Sequence, residues 1–95
     1  MSSYKAVAAS QTGASLAGAG QVGKQGDLLK RLHVSVATAA TGTVTLIDGA
    51  TSIVITPANT PIGFYSVEIG APSQTGAWTV TTGAGASVIA VGDFG

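Results

Sequence analysis

The chain has 95 residues, enough for one domain with a single core. It contains no cysteine, four basic and four acidic residues, and only 8% charged side chains, against roughly 25% in an ordinary soluble domain. Those figures exclude a disulfide framework, a Cys-ligated metal and the clustered Lys and Arg that draw nucleic acid. No apolar stretch approaches the ~20 residues of a membrane-spanning helix, so no membrane partner is expected. Nothing near Met1 has the pattern of a signal peptide, and the mature chain is expected to start there. A small core without a staple is expected to gain further burial against neighbouring subunits.

In chain order, residues 4–9 (YKAVAA) have the composition of a short strand. Residues 11–26 (QTGASLAGAGQVGKQG) follow, rich in Gly, Ala, Ser and Gln, with Leu16 and Val22 as the only sizeable apolar groups. So polar a stretch has too little apolar surface to fix itself. Residues 1–26 therefore read as an N-terminal arm, either frayed or reaching a neighbouring subunit, and residues 27–95 as the folded domain. In the second case Tyr4, Leu16 and Val22 are candidate interface residues.

From residue 28 onward the pattern changes to Val, Ile and Thr punctuated by Gly and Pro. Asp27 could cap a helical turn over DLLKRL. The alternation of Leu32, Val34 and Val36 with Arg31, His33 and Ser35 favours a strand over 29–37 instead. Val44 and Leu46 alternate with threonines up to Asp48-Gly49, a turn dipeptide, and the apolar run resumes at Ile53, which predicts a hairpin. Pro57 and Pro61 enclose a loop, because proline donates nothing to a central ladder. Tyr65, Val67 and Ile69 mark the next strand, closed by a turn cluster over 70–76. Trp78 and Val80, then residues 87–91, complete about six strands after the arm.

Strands at this spacing, with turn signals between them and no helices, predict an all-β fold: a small antiparallel β-sandwich, jelly-roll or immunoglobulin-like. Periodicity does not give the strand order.

Few residues invite chemistry. Gly18, Gly20 and Gly23 spell G-x-G-x-x-G, but no buried strand precedes the motif and no helix follows it, as dinucleotide binding requires. Asp27, Asp48, Glu68 and Asp93 lie in separate segments and are expected to be solvated. His33 stands alone on a polar strand face, with no cysteine beside it for a metal site. Neither a catalytic group nor a cofactor is expected, and the chain reads as a non-enzyme. Trp78, the single tryptophan, is the expected packing anchor, with Tyr65, Leu32, Val34 and Val80 as further candidate core residues. A sugar-stacking platform is the competing reading of Trp78. Threonines at 43, 45, 79, 81 and 82 predict uncharged faces that can pack on protein without desolvating ions, and Thr43, Thr45, Thr79 and Thr81 join the candidate interface.

Three runs resemble a known group: LLKRL-x-V-x-VATAATG-x-V-x-L-x-DG, NTPIGFYSVEIG, and GAW-x-VTTGAG-x-SVIAVG from Gly76 to Gly92. They are similar to small capsid decoration proteins, of cement or head-fibre type, from tailed bacteriophages. The resemblance covers about residues 27–94 and leaves the arm unmatched. It implies a β-sandwich on the outer surface of a virion, docked on the major capsid protein, as a homo-oligomer with a trimer favoured. The alternative function is a carbohydrate- or receptor-binding module of a head or tail fibre.

Overall fold

Alternating β-branched residues commit this chain to strands, and a computed structural model describes it over residues 2–17, 23–38 and 41–94. Those residues form eight strands and no helix: β1 (Ser2–Val7), β2 (Ala14–Ser15), β3 (Leu28–Val36), β4 (Val44–Asp48), β5 (Thr51–Thr56), β6 (Gly63–Pro72), β7 (Trp78–Thr81) and β8 (Ala86–Asp93). The six strands expected after residue 26 are all present.

One sheet, A, has the order β1-β8-β3-β6, and the other, B, has the order β2-β7-β4-β5, with every pairing antiparallel. The pairs β1·β8, β2·β7, β3·β6 and β4·β5 are nested, as in one long hairpin. Folding that hairpin over places successive pairs in alternate sheets, which is the eight-stranded jelly roll. Strand order thus decides between the two sandwich types that periodicity left open.

Residues 1–26 do not form a separate arm where they are described. β1 pairs with β8 from Ser2↔Asp93 to Val7↔Val88, and β2 pairs with β7 at Ala14↔Val80 and Ser15↔Thr79. Leu16, expected at an interface, has no exposed surface and fills the core beside Ala17. The polar link between β1 and β2 is held by hydroxyls rather than by burial. Thr82 Oγ1 accepts from the Gln11 amide at 2.9 Å and donates to the Ala8 carbonyl at 2.7 Å. Thr81 Oγ1 accepts from the Gly13 amide at 3.0 Å. Val22, like Gly18 and Gly20 of the glycine motif, lies outside the described residues.

Sheet A contributes Val7, Leu29, Leu32, Val34, Val36, Ala86, Val88 and Ala90 to the core, and sheet B contributes Val44, Leu46, Trp78 and Val80. Tyr65 is half-buried at the margin, where its hydroxyl donates to the Pro61 carbonyl at 2.7 Å. The run LLKRL breaks the period of two because β3 carries a bulge against β8 between Leu29 and Arg31. The extra residue lets Lys30 and Arg31 both face water while Leu29 and Leu32 both face inward.

β6 runs to Pro72, past the expected turn at Gly70. Gly70 adopts φ of 61° there, and Pro72 is tolerated because β6 is an edge strand. Between the sheets, the β3–β4 and β7–β8 connections cross at Gly42 and Gly83. A Cβ on Gly42 would lie 2.8 Å from the Gly83 Cα, so neither position admits a side chain.

Candidate docking surface

The acidic residues that chemistry would need are placed in scaffold roles. Asp27 is buried rather than solvated, and its carboxylate accepts from the Lys24 amide at 2.8 Å. Its carbonyl accepts from the Ser73 amide at 2.9 Å and from Trp78 Nε1 at 2.8 Å. Glu68 Oε1 pairs with Arg31 Nη2 at 2.6 Å, and Asp93 lies 3.5 Å from Lys30 Nζ. Both pairs are exposed and contribute little to stability. Among the described residues no three His, Cys, Asp or Glu side chains gather into a metal-binding group.

Asp48 is also buried, at the end of β4, where it receives the loop after β6. Its carboxylate accepts from the Gln74 amide at 3.0 Å and from the Thr75 amide at 3.2 Å. Burial alone would raise its pKa. The amides of Gln74, Thr75 and Gly76, with the Thr75 hydroxyl, outweigh it and hold the carboxyl below its ordinary value. The contribution of a group depressed in this way is fully present above the ordinary carboxylate pKa and is lost as pH falls through the lowered one. Asp48→Asn is therefore expected to be less stable than wild type at neutral pH and to lose less on acidification. Thermal midpoints of both proteins across the acid range check this, and parallel curves would contradict it.

The two outer faces of the sandwich differ in charge. Sheet A strands carry Lys5, Lys30, Arg31, Glu68 and Asp93, five of the eight charged residues in the chain. Lys30, Arg31, His33, Glu68 and Val91 line a shallow depression on the outer face of that sheet. Beside it His33 stacks on Phe64 with ring centroids 5.5 Å apart, and Tyr4 and Ile89 are exposed nearby in the register.

Sheet B carries one charged side chain in its strands, Asp48, and that one is buried. Its outer face is built of cross-strand rows. Thr45 lies between Thr81 and Val54, and Ile47 lies between Thr79 and Ser52, with Ser15 beyond Thr79. Thr45, Thr79 and Thr81, separated by up to 36 positions in sequence, are thereby brought onto one face, each half-buried. Thr43 is half-buried just before β4. Thr82 is buried and belongs to the scaffold rather than to this face.

No protein-family model, curated protein or solved structure matches this chain. Its site has to be read from its own surface.

Trp78 is 5% exposed and its indole N–H is committed to Asp27, so it presents no open ring face to a sugar. Sequence reasoning missed the β5 edge. Ile53 faces inward beside Leu46 yet is 44% exposed, and Val54 on the other face is 60% exposed. The signal was the unbroken Ile53-Val54-Ile55. In a two-layer sandwich each strand has one face outward, so an apolar run without alternation must show part of itself.

Proposed function

We propose that the chain is a virion structural protein, a decoration or cement module docked on the outer surface of a tailed-phage head. The observation that supports this is the segregation of charge. The uncharged face of sheet B, with Thr45, Ile47, Thr79, Thr81 and Val54, loses little ionic solvation when covered by protein. The ion-paired face of sheet A suits contact with water. A module seated by sheet B across adjacent major capsid subunits adds buried area over joints that internal pressure pulls apart. Jelly rolls recur in viral capsid and lectin domains, but fold alone does not select a function; the resemblance of the three sequence runs favours the capsid.

The test mixes purified protein with undecorated heads and follows co-sedimentation and shell stability. Binding is expected to change little with salt, because few charges contribute. Thr45→Lys with Thr79→Lys, which places two unpaired ammonium groups in the contact, is expected to weaken binding by roughly a hundredfold or more, in the range of buried unpaired charges. No binding under any ionic condition, or wild-type binding by the double variant, overturns the proposal.

A further inference from the structure

A jelly roll has four open strand edges, and here three of them are guarded. β1 carries Lys5, β2 has only two residues, and β6 carries Glu68, the Gly70 kink and Pro72. Charge, brevity, bulges and proline are the devices that stop an edge from pairing with another chain. β5, Thr51–Thr56, carries only a bulge, at Ile55 near its C-terminal end: its sequence TSIVIT holds no charge, Gly or Pro, and its first four residues, which pair with β4 in regular register, are all exposed. It ends the order of sheet B, so among the described residues one side of its backbone faces no other strand.

We infer that β5 is the self-association edge of this protein, pairing antiparallel with β5 of a second copy about a two-fold axis. The pairing extends sheet B into a continuous eight-stranded sheet and saturates the free ladder. Inner faces stay on the same side, so Ile53 and Ile55 of the two copies close the open margin of each core. The half-buried Tyr65 and Ile69 of β6 flank that margin, because the short 57–62 connection places β5 and β6 at the same side of the sandwich.

A second copy fits this side better than a charged partner. Residues 49–67 contain no Asp, Glu, Lys, Arg or His. Two copies therefore meet without like-charge repulsion, whereas a charged partner would lose ionic solvation against Ile53 and Val54. A two-fold pair differs from the three-fold arrangement that the phage resemblance implies. The inference stands on the isolated protein, so it and the capsid proposal can fail separately.

Light scattering coupled to gel filtration, over a wide concentration range, is expected to give twice the 9.2 kDa chain mass. Amides of β5 should become slower to exchange as concentration rises. Val54→Lys places two like charges beside the axis and is expected to raise the dimer dissociation constant at least about tenfold, with an unchanged circular dichroism spectrum. Ser52→Lys, on an exposed hydroxyl of the same edge, supplies the same test if Val54→Lys unfolds. A wild-type monomer at every concentration, a trimer, or folded lysine variants that dimerise as wild type does would each overturn the inference.

Discussion

A chain shortened to residues 27–95 is expected to show no cooperative unfolding transition, although its sequence reads as the complete sandwich. The shortening removes one strand from each sheet and, with them, Val7, Leu16 and Ala17 from the core. A fully buried leucine contributes about 2–5 kcal/mol, and each ladder bond of β1 contributes on the order of 1 kcal/mol. The whole margin of a small domain is about 5–15 kcal/mol. The loss also turns β7 and β8 into new edges and uncovers Val80 and Val88, which invites aggregation. Leu16→Ala in the full chain is the control, expected to lower stability by about 2–5 kcal/mol while leaving a cooperative transition. Urea unfolding followed by circular dichroism reads both. A shortened chain with a wild-type midpoint would restore the reading of residues 1–26 as an arm.

That contrast marks how far the sequence could be read. Residues 28–93 announce their strands because burial there is periodic: Leu32, Val34 and Val36, or Trp78 and Val80, repeat every second position. β1 and β2 are held by pairing with strands more than 60 positions away, and the link between them by Thr81 and Thr82. Local composition carries no trace of such partners, so Gly, Ala and Ser around Leu16 looked like a linker. Asp27 and Asp48 were misread as solvated for a related reason. A turn acid and a buried acid that collects backbone amides have the same sequence context; the incoming 73–76 loop supplies the amides to the Asp48 carboxylate and covers the carbonyl of Asp27, whose carboxylate takes the Lys24 amide. For the docking face, the threonines were legible as a composition, but their gathering on sheet B follows from the β4·β7 register. The open edge at β5 was written in Ile53-Val54-Ile55 and becomes meaningful once the fold is known to have two layers.

Trp78→Ala is expected to cause the largest loss of any single substitution in the core. Replacing a buried large aromatic by alanine costs about 3–5 kcal/mol through lost burial and the cavity left behind. The indole N–H also bonds to the Asp27 carbonyl. Because that oxygen keeps the Ser73 amide as a second donor, the polar part of the loss sits near the lower end of about 1–3 kcal/mol. Trp78→Phe retains an aromatic ring and drops the donor, so roughly 1–2 kcal/mol is expected from it. The difference between the two variants in urea unfolding separates packing from the tie that fastens β7 to the turn before β3. Since Trp78 is the only tryptophan, wild-type emission reports this site alone. It is expected to be blue-shifted in the folded chain, to move red on unfolding, and to ignore added polysaccharides. An emission response to a sugar without unfolding would mean that the ring is reachable, and would return the molecule to the carbohydrate-binding reading.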